Sequence, residues 1–232
     1  MTPSVVAPSV GSMALVEFKD LVIDVEDPAA FAERWGRWLH LRGETDEVGA
    51  VLRGDDPGQT IWINPAEPKT VKDRVHLDIV ARDLAPFEGL ERLTEPGQFS
   101  WTTFLDPEGH EFCVFEGGER PDGLKDVVVD AIDHAAIGAW WADVFGASYS
   151  SDEEYSWVDD IPGSPTESFD FVTVPEPKTV KNRIHWDVRL VGDATVDDLV
   201  ERGATVLLPP GDDRRWTVMA DPEGNEFCVF DA

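Results

Sequence analysis

EPKTVKDRVHLD at 67–78 returns as EPKTVKNRIHWD at 176–187. Working outward, DPEGHEFCVF at 106–115 recurs as DPEGNEFCVF at 221–230, and FKDLVIDVEDPAAFAERW at 18–35 is echoed by LKDVVVDAIDHAAIGAWW at 124–141. Three blocks repeated in the same order identify a duplication. The spacing between matching blocks grows toward the C-terminus, so the second copy carries a few extra residues, expected in loops or an added strand. The seam falls in the polar, turn-rich GGERPDG at 117–123. The expected organisation is a flexible N-terminal tail at 1–13 followed by two domains at 14–118 and 122–232.

Inside each copy the hydrophobic period switches in a fixed order. Val16, Phe18, Leu21, Ile23 and Val25 read as a strand; Asp27 then suits an N-cap with Pro28 at the first helical position. Phe31, Trp35, Trp38 and Leu39 fall on one helical face, matched by Ile137, Trp140, Trp141, Val144 and Phe145 before a stop at Gly146. Short strands follow at 50–53, 59–64 and 168–174, and the HLDIV and HWDVRL segments open a second series. Its helix is expected at 195–202 in the second copy and as a stub around 86–93 in the first. DPEG turns the last hairpin. The fold class is α+β: each copy holds two strand–helix–strand–strand–strand modules, which pair into a curled mixed sheet, an open bowl whose concave face is the expected ligand site.

The 232 residues carry 47 acidic and 19 basic side chains, a formal charge of −28. Such a field repels nucleic acid and anionic lipid and favours a cationic or neutral small molecule. Two cysteines are too few for a disulfide framework, no stretch is apolar enough to span a bilayer, and the opening MTPSVVAPSV lacks a basic leader region, so a cytoplasmic monomer or homodimer is expected. There is no P-loop, GxGxxG, GxSxG or CxxC motif. Of the nine tryptophans, Trp35, Trp38, Trp140 and Trp141 sit at core spacing on helices, whereas Trp62, Trp101, Trp186 and Trp216 lie on strands and are candidates for lining the bowl.

The DPAAFAERW and DHAAIGAWW helix starts, the PKTVKxRxHxD blocks and DPEGxEFCVF together resemble the vicinal oxygen chelate superfamily (glyoxalases, bleomycin-resistance proteins and extradiol dioxygenases), and more narrowly its glyoxalase-like actinobacterial branch. That resemblance implies metal ligands on the first and last strands of each module, usually His, Gln or Glu. Carried over, the first-strand station falls at Asp20 and Asp126, the second-module station at His76 and His185, and the closing station at Cys113 and Cys228, with Glu111 and Glu226 two residues earlier on the same strand face. The stations around Trp62 and Asn64, or Phe171 and Thr173, offer no carboxylate. Two readings stay open. Either Asp20, His76 and Cys113, with Asp126, His185 and Cys228, are three-ligand sites for a divalent ion (zinc, iron, manganese or nickel) and Glu226 or Glu111 serves as base in a lyase, isomerase or dioxygenase; or no cofactor is present and the bowl sequesters an aromatic or cationic molecule, as bleomycin-resistance proteins do. A third alternative is that one copy has become structural, in which case the first, with its abbreviated second module, is the expected scaffold and the second the working bowl.

Six of the 19 basic residues, Lys69, Lys72, Arg74, Lys178, Lys181 and Arg183, crowd into the two PKTVKxR loops. They are expected either to pair internally, Arg74 with Asp78 and Arg183 with Asp187, or nearby with Asp24 and Asp130, or to clamp an anion, with Lys178 and Arg183 as contacts.

Overall fold

The computed structural model describes residues 4–6, 13–117, 120–212 and 214–232. After an edge strand β1 (Ser4–Val6), the first module holds β2 (Val16–Val25), α1 (Pro28–Leu39), β3 (Arg42–Thr45), β4 (Ala50–Arg53) and β5 (Thr60–Pro65). The second has β6 (Val75–Ala81), the expected stub as a 3₁₀ turn at Ala85–Phe87, then β7 (Glu91–Arg92), β8 (Thr102–Leu105) and β9 (Glu111–Glu116). In the second copy come β10 (Gly123–Ala131), α2 (His134–Phe145), β11 (Ser148–Ser151), β12 (Tyr155–Asp159) and β13 (Ser168–Thr173). The last module is β14 (Ile184–Leu190), α3 (Val196–Glu201), β15 (Thr205–Leu208), β16 (Thr217–Ala220) and β17 (Glu226–Phe230). Most of the stretch expected as a tail lies outside the described residues; within it, Ser4–Val6 pairs with β11.

The helices begin and end for local reasons. Asp27 and Asp133 accept hydrogen bonds from the Ala30 and Ala136 amides, and α2 stops at Gly146 in the left-handed conformation. The DPEG hairpins hold these helices from the side. Asp106 accepts from the Trp35 indole and Asp221 from the Trp141 indole, each at 3.1 Å, while Glu108 and Glu223 accept the amides just before α1 and α2. The recurrence of this block therefore reflects helix clamping.

Helix α1 lies between the two modules of its own copy. Its Trp38 stacks on Phe112 and packs at a tilt on Phe87, and its Trp35 meets Phe112 edge to face. In the second copy Trp141 packs on Phe227 and Trp186. With a helix filling the space between them, the two modules of one copy sit back to back, and their first strands cannot meet edge to edge. Those strands find partners in the other copy: β2 pairs antiparallel with β14, and β6 with β10. One mixed sheet runs β1-β11-β12-β13-β10-β6-β9-β8-β7 and the other β15-β16-β17-β14-β2-β5-β4-β3; neither closes into a barrel. The protein thus has two open bowls, and each is shared between copies, which corrects the expectation of one bowl within each copy.

Candidate functional site

Period-two alternation decides what reaches each bowl. From β6, His76 and Asp78 point inward; parallel β9 brings Cys113 opposite Asp78, and antiparallel β10 brings Asp126 opposite the same residue. In the second bowl His185 and Asp187 from β14 meet Cys228 of β17 and Asp20 of β2. The structure therefore groups Asp126 with His76 and Cys113, and Asp20 with His185 and Cys228, the reverse of the grouping expected from a bowl within each copy. The His, Asp and Cys donor atoms of each triad, His76–Asp78–Cys113 and His185–Asp187–Cys228, all lie within 4.8 Å of one another and are buried.

The two triads differ in detail. His76 Nε2 is 3.4 Å from Asp78 Oδ1 and 3.8 Å from Cys113 Sγ. Burial alone would push this imidazole down, yet the contacts with Asp78 and Cys113 carry it up to about 10. His185 Nε2 is 3.9 Å from Asp187 Oδ1 and 3.7 Å from Cys228 Sγ, and burial together with the Lys181 charge pushes it down. Burial raises both thiols, and raises Asp187 to about 7. Asp78 Oδ1, Asp187 Oδ1 and His185 Nδ1 are buried without a hydrogen-bond partner among the described residues.

Sequence reasoning missed several groups. Asp78 and Asp187 complete the triads, and the H-x-D spacing on one strand face was the available signal. Asp170, on β13, is raised to about 7 by burial and by Asp126; the Ser168 hydroxyl lies 2.6 Å from its carboxylate and 3.1 Å from that of Asp126. Lys19 and Lys125 enter the bowls because β2 and β10 each bulge there, turning an extra side chain toward the concave face. Each lysine pairs with the adjacent Asp20 or Asp126 and lies over a phenylalanine, Phe230 at 4.4 Å and Phe115 at 4.6 Å.

The family-model description "Glyoxalase-like domain" matches residues 20–115 and 126–230. The chain belongs to the glyoxalase-like family. Among solved structures, this glyoxalase-like chain is similar to glyoxalase I from Zea mays, with a TM-score of 0.67 and 12% identity over 93% of this chain and 92% of that one. It is equally similar to a putative dioxygenase from Bacillus subtilis subsp. subtilis str. 168, with a TM-score of 0.67 and 14% identity over 94% and 86%. At these identities the likeness is one of fold. No curated protein matches the sequence. No helix of the described residues is long and apolar enough to cross a membrane.

Other expected contacts of the glyoxalase-like chain are redistributed. Trp186 follows His185 by one residue and so faces the opposite side, fully buried 5.0 Å from Trp141 and 5.2 Å from Phe169; it lines no bowl. Trp62 is 38% exposed and donates to Asp20 at 3.2 Å, while Trp101 and Trp216 stack on Phe115 and Phe230. Lys178 pairs with Glu226 at 2.6 Å, and the Asn182 amide takes the other Glu226 oxygen, leaving that carboxylate tied down rather than free as a base. Glu111, its counterpart, lies within electrostatic reach of Lys72.

The PKTVKxR loops lock across the copies. Arg74 donates to the Glu176 and Asp130 carbonyls and Arg183 to the Glu67 carbonyl, not to Asp78 and Asp187; Lys72 pairs with Asp130 and Lys181 with Asp24. The loops enclose a cavity of about 710 Å³ whose lysines are matched to carboxylates. Of the two alternatives expected for these loops, the contacts present are those of internal pairing.

Behind the first loop, Asp73 accepts from Lys69 and from His110, each at 2.8 Å; in the second copy the corresponding pair is neutral, Asn182 donating to Asn225 at 2.9 Å. Burial pushes Asp73 up, but His110 and Lys69 outweigh it and hold the carboxyl below its usual value. Asp73→Asn should cost about 1–3 kcal/mol at neutral pH by stranding His110 and Lys69, and adding His110→Asn, which recreates the neutral pair, should restore much of it. Because the folded value is the lower one, this stabilisation is present above the unfolded value and is lost as pH falls through the folded one. Urea unfolding should accordingly show the gap between wild type and Asp73→Asn closing below about pH 4.

Proposed function

We propose that this glyoxalase-like protein binds a small oxygenated molecule in each bowl with the help of a divalent metal ion held by the His–Asp–Cys triads. One observation carries the reading: in the second bowl Asp187 Oδ1 is buried without a hydrogen-bond partner among the described residues, beside an imidazole and a thiol, and the first bowl repeats the same donor set. An orphaned buried carboxylate oxygen is costly unless a cation meets it. A carboxylate, an imidazole and a thiolate form a donor set for zinc or ferrous iron. An ion bound there would supply Lewis-acid polarisation of ligand oxygens. The chain's own groups would do the rest: Asp20 and Asp126, each neutralised by its bulged lysine, border the ligand space.

Metal content tests this directly. Protein loaded with zinc and dialysed should retain about two equivalents per chain, falling to about one in His185→Ala. Retention below about 0.2 equivalents in the wild type would exclude the reading. A metal-free reading, sequestration in the manner of bleomycin-resistance proteins, has support of its own in the first bowl, where His76 raised to about 10 beside Asp78 forms an imidazolium–carboxylate pair. For the first bowl it predicts no retained metal, with His76→Ala leaving metal content unchanged.

A further inference from the structure

The antiparallel pairs Asp20–Asp187 and Asp126–Asp78 set both bowls in one frame. In that frame Trp62 corresponds to Asp170, Arg53 to Asp159, Gln59 to Glu167 and Arg189 to Val80. The first bowl thus presents acids where the second presents an indole, the Arg53 guanidinium and a glutamine, and a valine where the second presents Arg189. Arg53 lies over the Trp62 ring at 5.0 Å, and among the described residues no carboxylate pairs with it. Arg189, on the facing strand, pairs with Glu17 at 3.0 Å. Between them opens a cavity of about 680 Å³, within the range of small-molecule sites.

Its wall is made where the copies touch. The loop at 160–167 is two residues longer than its counterpart at 54–59, and it crosses to the second bowl, where Phe18 donates to the Pro162 carbonyl at 2.8 Å. A Cβ on Gly58 would stand 2.2 Å from the Gly163 carbonyl, and one on Gly163 2.5 Å from that of Phe18, so only glycines permit this approach.

We propose that the second bowl takes a small planar carboxylate, its ring against Trp62 and its oxygens on the Arg53 fork, while the acids at the matched positions exclude the same ligand from the first bowl. Indole offers a flat, polarisable face for the ring, and an unpaired guanidinium offers two parallel donors for the carboxylate. In a chain with a net charge of −28, such a cavity is a local exception that selects its ligand by contact. The inference rests on the bowls being small-molecule sites, and adds the ligand class and the choice of bowl.

The test is calorimetric titration of the whole protein with 1-naphthoate, and with naphthalen-1-ylmethylammonium, which keeps the ring and reverses the charge. Naphthoate should bind at one site per chain and more tightly than the ammonium. Arg53→Gln and Trp62→Ala should each weaken it about tenfold, Arg53→Lys less, and Asp159→Asn, on the other bowl, should change it by less than about twofold. Two equivalent sites, tighter ammonium binding, unchanged affinity in Arg53→Gln, or no naphthoate binding at millimolar concentration would each overturn the proposal. The zinc measurement separates the two claims: retained metal without naphthoate binding removes the ligand class and leaves the triads standing, and naphthoate binding without metal does the reverse.

Discussion

Replacing Trp186 with alanine is expected to lower the unfolding free energy by about 3–5 kcal/mol, read as a shift in the urea midpoint at constant slope. The ring is fully buried, in edge-to-face contact with Trp141 and Phe169, and Phe169 in turn meets Phe18 of the first copy. Truncation would leave a cavity at the junction of the helix α2 core with the shared sheet, where rigid aromatic neighbours can collapse only partly. The Trp186 indole nitrogen has no hydrogen-bond partner among the described residues, so Trp186→Phe, which removes that buried donor and leaves a smaller void than alanine would, should cost much less. Trp62→Ala, at a partly exposed position, should cost less than about 1 kcal/mol. If Trp186→Ala were no more destabilising than Trp62→Ala, the assignment of Trp186 to the core face would be wrong.

The second large effect concerns the copies themselves. Residues 13–117 produced alone should form a dimer of twice the chain mass by light scattering, with a midpoint that rises with concentration. Alone, that copy keeps the helix α1 core between its modules but leaves both β2 and β6 without the central antiparallel partners that β14 and β10 provide. A second identical copy can supply them, since β6 has the sequence pattern of β14 and β2 that of β10. The alternative to pairing is two exposed, largely apolar strand edges, which favour association. A cooperatively folded monomer at micromolar concentration would show that each copy closes its own sheet.

Much of this architecture was legible. The duplicated blocks located the four modules, Asp27 and Asp133 marked the helix starts, and the shortened span after Asp78 foretold the 3₁₀ stub. The pairing of modules was not legible, because it depends on contacts between strands as far apart as Val16–Val25 and Ile184–Leu190, and nothing local distinguishes a partner within the copy from one in the other. That one omission misgrouped Asp20 and Asp126. Trp186 is a different kind of miss: strand parity relative to His185 already assigned it to the opposite face. The lysines at 19 and 125 were beyond reach, since a bulge is a register event and leaves no mark in a two-residue Lys-Asp string.

Because each bowl draws half its wall from each copy, joining the copies changes what mutation can do. In a twofold dimer of single repeats, any altered codon would appear in both cavities at once, and improving one pocket would alter the other identically. A continuous chain removes that symmetry constraint. Trp62 and Asp170 can occupy one geometric address under two separate codons, and the joining of the two copies in one chain is what makes them independent.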